Sequence, residues 1–252
     1  MKQIFQGEVF AETANFDNGI RQLMPRYEEI LDVLARCTPP SAQRILDLGC
    51  GTGETSLKIL NRCRDAEVIA IDYSPRMLAF ASDKIDKAGY SKRCKFIEAD
   101  FGDWANNNLS LPEEFDICIS SFAIHHLTDD MKLKLFQQIR KSLKPGGSFW
   151  NADRVLPESP ALKKVYQDMR EHWAQTQGTT LAAVRAKFGT NISQGYSGPD
   201  RFATLYAHLQ MLTTAGFTSV AVPWKYYGMA VFGGMAEQVQ KENPTNTAGN
   251  GL

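Results

Sequence analysis

The chain has 252 residues, 43% of them apolar, which is enough to bury one full core. Lys plus Arg (28) balances Asp plus Glu (28), so no global basic field exists to hold a phosphate backbone, and nucleic acid is not an expected partner. No apolar run approaches the ~20 residues that span a bilayer, the start MKQIFQGEVF has no signal-peptide apolar region, and the five cysteines form no CxxC pair, so a soluble cytoplasmic protein with reduced thiols and no membrane partner is expected.

The first expected element is an amphipathic helix over 20–34, with Ile20, Leu23, Met24, Ile30, Leu31 and Leu34 at helical spacing and Pro25 in its first turn. Residues 1–40 read as an N-terminal helical cap. From Arg44 onward strands and helices alternate. A strand over 45–48 ends in Gly49, Gly51 and Gly53 and leads into a helix to about 64. A strand over 68–71 is followed by a helix with Ser74 as N-cap and Pro75 at its first position. Strands over 95–99 and 115–120, a helix over 129–143, a Lys-Pro-Gly-Gly turn at 144–147 and a strand over 148–152 complete the run. A mostly helical insertion, 157–198, then breaks the rhythm, with Leu162, Val165, Tyr166, Met169 and Trp173 on one stripe. A helix over 199–215, a Gly216 cap and strands over 218–222 and 229–232 resume it. The Gly/Asn-rich tail, 242–252, is expected to be disordered. Repeated βα units predict an α/β fold: a doubly wound, mostly parallel seven-stranded sheet from 41–156 and 199–235, with helices on both faces, a helical lid over 157–198 and ligands at the carboxyl ends of the strands.

Glycines at alternate positions after a strand let the backbone turn sharply and approach a ligand, while the next helix offers it free N–H groups. That suits a nucleotide-like cofactor. A dinucleotide turn needs G-x-G-x-x-G, whereas here the spacing is Gly49, Gly51, Gly53, and Glu54 would set a carboxylate against a pyrophosphate. S-adenosylmethionine (SAM) carries no phosphate. Asp72, ending the second strand, can take both ribose hydroxyls of either cofactor.

Five segments in order, RILDLGCGTGE at 44–54, DYSPRML at 72–78, EADFGDW at 98–104, SSFAIHHL at 120–127 and LKPGG at 143–147, resemble the class I SAM-dependent methyltransferases, particularly their small-molecule branch, from about 27 to 232. The resemblance implies a Rossmann-like core with SAM as cofactor and S-adenosyl-L-homocysteine (SAH) as product. It implies that Asp47 supports the methionine end, with Gly49, Cys50, Gly51 and Gly53 against it. Asp72 would hold the ribose, Tyr73 would pack on the adenine, Asp100 would accept the adenine amino hydrogens, the Phe101 N–H would meet a ring nitrogen, and the Ser121 carbonyl would take the ammonium. Tyr27, Met77 and Phe122 complete the cofactor set. A cofactor with an amine, a diol and an exocyclic amine needs such acceptors.

Methyl transfer from a sulfonium is an in-line displacement, so a general base is needed only where the acceptor must lose a proton. His125, after the fourth strand, is the candidate base; a structural histidine under the loop is the other role open to it, and His126 is expected to point elsewhere. Tyr27, Arg154, Tyr166, Arg170, Trp173, Tyr196 and Tyr226 are the expected acceptor-pocket residues. Residues 154–201 carry seven Lys/Arg against four Asp/Glu, so an anionic acceptor would fit, although most of those charges are expected on solvated helix faces. No metal site is expected, because the acidic residues of the catechol-type branch are replaced by Ser120, Ser121, Asn151 and Ala152. The Asn/Asp-Pro-Pro-aromatic motif of amino-methylating enzymes is absent after the fourth strand. His172 and His208, alone on helices, read as surface or packing. Pro25-Arg26-Tyr27 and Ala215-Gly216-Phe217 resemble carboxy-SAM synthases, whose cofactor-carboxylate arginine falls on Met211 here, with Arg201 one or two turns away on the same expected helix. The expected function is SAM-dependent methyl transfer to oxygen or nitrogen of a small metabolite by a monomer or homodimer; a carboxy-SAM synthase-like activity and a non-catalytic SAM-binding regulator are the alternatives.

Overall fold

The computed structural model describes residues 3–192, 195, 196 and 198–237. In chain order these form β1 (Gln3–Phe5), α1 (Phe16–Leu23), α2 (Tyr27–Arg36), β2 (Arg44–Leu48), α3 (Glu54–Arg62), β3 (Glu67–Asp72), α4 (Pro75–Lys87), β4 (Cys94–Glu98), α5 (Phe101–Ala105), β5 (Phe115–Ser121), α6 (Asp129–Ser142), β6 (Leu143–Arg154), α7 (Lys163–Thr176), α8 (Leu181–Arg185), β7 (Thr190–Ile192), α9 (Leu205–Thr214), β8 (Thr218–Tyr226) and β9 (Met229–Met235).

Seven strands form the central sheet in the order β4-β3-β2-β5-β6-β9-β8. Six run in one direction; β9 alone is antiparallel, to both β6 and β8. This is the expected mostly parallel, Rossmann-like α/β fold. Successive side chains on a strand face opposite sides, and β2 shows why both faces need helices: Ile45 enters the core layer with Leu31, Leu34 and Ile59, while Leu46 enters the layer with Leu135, Phe136 and Leu212. The strand order reverses between β2 and β5, which opens a crevice at their carboxyl ends. Ser74 caps α4 by accepting from the Met77 N–H, with Pro75 in the first turn, and Gly216 follows α9 at φ +91°.

Four boundaries differ from expectation. The helix expected over 20–34 is two helices, because Pro25 stops it: Met24 is extended (φ −107°, ψ 107°) as a residue before proline tends to be, and Arg26 turns the chain at φ +57°. Pro25 therefore stands outside α2. The 144–147 segment belongs to the start of β6, with a register shift opposite Phe115–Ile117. The last long helix begins only at Leu205, where the Thr204 hydroxyl accepts from the Ala207 N–H; residues 199–203 precede it as non-helical chain. The insertion contains β7, which pairs in parallel with β1 as a separate two-stranded sheet. Three-residue strands carry no periodic signal. The tail over 242–252 lies outside the described residues, and among those described no helix is long and apolar enough to cross a membrane.

Candidate active site

Two adjoining clefts open at the carboxyl ends of the central strands. The first lies under the glycine loop after β2 and between the ends of β3 and β5, at the switch point of the sheet where ligands bind in such folds. Gly49 and Gly51 have φ of +69° and +54°, and a Cβ on Gly49 would sit 2.2 Å from the Ala123 Cβ; the loop after β5 thus closes against the loop after β2. Tyr27, Gly49, Cys50, Gly51, Asp72, Tyr73, Met77, Phe101, Ser121 and Phe122 line this cleft.

Asp72 is almost fully buried at its rim. Its carboxylate accepts from the Gly51 and Ser74 N–H groups, each at 2.9 Å. Burial raises its pKa to about 6 against the pull of those two donors. Each oxygen keeps a second lone pair for a ligand hydroxyl. Beneath the loop Asp47 is fully buried, accepts from the Ser56 hydroxyl at 2.6 Å and has no partner for its other oxygen among the described residues. Burial pushes it up to about 7. An acceptor-rich cleft with a carboxylate at the rim and an underused one beneath fits a cofactor bearing hydroxyls and an amine.

Asp47, Gly53 and Asp100 do not line the cleft. Gly53, at φ +79°, lets α3 pack on α4, where a Cβ would lie 3.1 Å from that of Ala81. Asp100 caps α5 through the Gly102 N–H at 2.7 Å and accepts from the Tyr196 N–H at 2.8 Å. Glu54 does reach the cleft, but its carboxylate pairs with Arg21 at 2.5 Å and with Lys84, so its charge is largely neutralised.

The sequence reading missed the N-terminal segment. Gln6, Gly7 and Glu8 form one wall. Glu8 is buried, accepts from the Ser74 hydroxyl and pairs with Arg76 at 3.1 Å; the Tyr73 hydroxyl donates to the Gln6 carbonyl, and Phe5 stacks on Tyr73 with centroids 5.6 Å apart. The signal available was slight: a lone glutamate in a short apolar stretch.

The second cleft, about 1020 Å³, shares Phe122 and His126 with the first and contains His125, Arg154, Arg170, Arg185, Asp200 and Phe202. Phe122 sits at φ +53° and stacks on Tyr27 at 5.7 Å, which turns the chain from β5 into the His125–His126 turn. His125 Nδ1 lies 2.6 Å from an oxygen of the fully buried Asp153, next to Arg154 on β6. Burial works to raise the Asp153 pKa, but the His125 imidazole overrides it and holds the carboxyl below its usual range. With Nδ1 so engaged, Nε2 is the nitrogen left for a reacting group. His126 faces both clefts, contrary to expectation, because its Nδ1 is held 3.1 Å from the Gly198 carbonyl; burial and then His125 push its pKa down to about 4. Arg201 fixes this turn from outside: its N–H donates to the His125 carbonyl at 2.7 Å and its guanidinium to the His126 carbonyl at 3.1 Å. It is therefore not on α9 with Met211.

Of the expected acceptor residues, Arg154 and Arg170 meet His125 in this cleft, while Tyr166 lies beyond them in an adjoining cavity. Trp173 donates to the Arg21 carbonyl at 2.9 Å and docks α7 on α1; Tyr196 lies beside Asp100; Tyr226 lies under the Arg26 guanidinium at 4.7 Å. None of these three lines either cleft. His208 is fully buried against Phe136 and Phe232, a packing role, and is pushed down to about 4 by burial. Where no metal site was expected, His125, His126 and Asp200 bring ligand atoms within 4.8 Å of one another.

Residues 45–147 match the family described as a methyltransferase domain. The chain is 32% identical over 147 residues to an uncharacterized methyltransferase, YrrT, of Bacillus subtilis, a match covering 57% of this chain and 61% of that protein. It is 23% identical over 222 residues to the carboxy-S-adenosyl-L-methionine synthase of Nautilia profundicola, covering 86% of this chain and 88% of that one. Its fold is similar to that of an O-methyltransferase family protein from Burkholderia thailandensis, with a TM-score of 0.65 and 15% identity over 89% of this chain and 59% of that chain. The chain thus spans about three fifths of the Bacillus and Burkholderia proteins.

Proposed function

We propose that this chain is a class I SAM-dependent methyltransferase, as its similarity to methyltransferases supports, and transfers the methyl group of SAM to a hydroxyl or amine of a small molecule. The observation that carries the reading is the junction of the two clefts: an acceptor-lined cleft at the switch point opens, past Phe122 and His126, onto the His125–Asp153 pair. In this reading Asp72 accepts the ribose hydroxyls, Tyr73, Met77 and Phe101 pack on the adenine, and Asp47 with Gly49, Cys50 and Gly51 borders the methionine end, where the Ser121 carbonyl takes the ammonium. Tyr27 and Phe122 shield that end from water. Gly53 and Asp100 support the cleft by packing α3 on α4 and by holding the 195–196 turn. Bound SAM supplies a methyl group already activated on a sulfonium. The chain's own residues align the nucleophile, exclude water and, for a hydroxyl acceptor, take its proton at His125 Nε2 while Asp153 fixes the tautomer. The two-cleft arrangement suits a small acceptor rather than nucleic acid.

Screening hydroxyl- and amine-bearing metabolites for SAH release tests this, together with calorimetric titration of SAM and NADH. Tight NADH binding with no response to SAM would sink the reading. A second reading, modification of the cofactor itself, is supported by similarity to the Nautilia synthase over most of both chains; mass spectrometry of the nucleoside that copurifies with the full chain separates the two.

A further inference from the structure

Three guanidinium groups converge on the second cleft from separate elements: Arg154 from the end of β6, Arg170 from α7 and Arg185 from the end of α8. Their counter-charge is sparse. Arg154 Nη1 lies 3.5 Å from Asp200, whose carboxylate is half exposed, and no other carboxylate lies within 4.0 Å of the three among the described residues. Arg154 is spread over the Phe202 ring at 4.0 Å, which fixes its plane. The Arg170 Nε is buried and has no hydrogen-bond partner among the described residues. Burial, followed by the neighbouring Arg154 and Arg185, pulls Arg170 down to about 10, which still leaves it charged at neutral pH.

Charged lid residues often lie on solvated helix faces, and Arg185 is exposed enough to fit that description. Arg154 and Arg170 are not. Holding like charges together with a buried, unpaired donor is costly unless an anion completes the set. The grouping of His125, His126 and Asp200 invites a cation instead, but Asp200 is already 3.5 Å from Arg154 and two further arginines line the same cleft, so their field opposes a metal ion. Guanidinium forks match the planar oxygens of carboxylate and phosphate.

We propose that the second cleft binds the methyl acceptor through an anionic group, a carboxylate or a phosphate, gripped by Arg154, Arg170 and Arg185. Calling the ligand the acceptor rests on the methyl-transfer reading above; the anion site does not. Because Arg154 belongs to the sheet while Arg170 and Arg185 belong to the insertion, the anion also ties the insertion to the sheet. It anchors the acceptor beside His125, since Asp200, 3.5 Å from Arg154, also lies 3.7 Å from His125 Nε2, and the nucleophile is left facing that histidine.

The test is calorimetry on the full chain, with succinate, inorganic phosphate and, as a cationic control, choline, each titrated with and without saturating SAH. Succinate or phosphate binds, choline does not, and the preferred anion tells carboxylate from phosphate. Arg170→Gln weakens the preferred anion at least about tenfold and Arg170→Lys recovers part of the loss, while Arg185→Gln, at an exposed position that the fold does not depend on, weakens it about threefold; SAH affinity stays within about twofold throughout. Failure of both anions to bind, or unchanged anion affinity in both Arg170→Gln and Arg185→Gln, overturns the anion site while leaving the methyl-transfer reading intact. Absence of SAH binding to the wild type strikes the methyl-transfer reading instead, and the titrations without SAH still decide the anion site.

Discussion

The two clefts are built on opposite plans. The first is assembled from the turns after β2, β3, β4 and β5, with the N-terminal segment and the first two helices as its outer wall, and its carboxylates include Asp72 at the rim, Asp47 beneath and Glu8 on the wall. The second draws on the end of β6, two helices of the insertion and the 198–202 segment, and its charged groups are chiefly arginines. Phe122 and His126 form the border. A donor carrying an amine and a sulfonium and an acceptor carrying an anion would each be drawn to its own side, so electrostatics sorts the two reactants before any contact specific to shape is made.

The sharpest way to break this division is at the border. His125→Ala is expected to lower kcat on a hydroxyl acceptor by about 100- to 1,000-fold, with SAH affinity changed less than about threefold; a comparable loss of SAH binding in calorimetry would move His125 to the donor side. Asp72→Asn acts on the other plan. Weakened charge-assisted bonds to two hydroxyls are expected to raise the SAH dissociation constant about 100-fold, or about 2.7 kcal/mol, while succinate or phosphate binding stays as it was. An unchanged SAH affinity would remove Asp72 from the cofactor site.

A third prediction concerns pH. Asp47 has a folded pKa of about 7, above the ~3.9 of an unfolded aspartate. Between those values the native state holds a proton that the unfolded chain has released, so this group makes stability fall as pH rises through that window. His126 and His208, both pushed down to about 4, act in the opposite sense, so the effect is read as a difference. Urea unfolding of wild type minus Asp47→Asn is expected to decline by about 2 kcal/mol from pH 5 to 7; a flat difference would mean that Asp47 is ionised in the fold throughout. The smallest effect is at Glu54, which joins α3 to Arg21 of α1 and Lys84 of α4. Glu54→Gln is expected to cost about 1 kcal/mol in the same assay, with anion binding in the second cleft unaffected.

The contrast between the clefts is also a contrast in legibility. Gly49, Gly51, Asp72, Tyr73 and Phe101 could be placed from short motifs, since each follows its own strand and the parallel sheet brings those strand ends together. Tyr166, Trp173, Tyr196 and Tyr226 have no motif to place them, and only Tyr166 comes near the second cleft; the others pack on α1, Asp100 and Arg26. Glu54 looked like a free negative charge and is instead paired, because Arg21 and Lys84 arrive from 33 residues before and 30 after it. The wall formed by Gln6 to Glu8 could not be foreseen, since it depends on β1 pairing with β7, where Gln3 meets Thr190 from the far end of the insertion.

What the sequence determined by itself is the order of βα units, the glycine turn after the first core strand and the carboxylate at the end of the next, because period, capping and turn chemistry act over a few residues. The tertiary structure alone decided that His125 meets Asp153, that His126 faces both clefts and that Arg154, Arg170 and Arg185 share one cavity. The first of these meetings follows from β5 lying beside β6 and the others from how the insertion folds back over the sheet, and no local rule of spacing encodes a contact between side chains so far apart in the chain. The sequence could say that basic residues outnumber acidic ones in the insertion; only packing, by half-burying Arg170 beside two other arginines, makes that excess a candidate site.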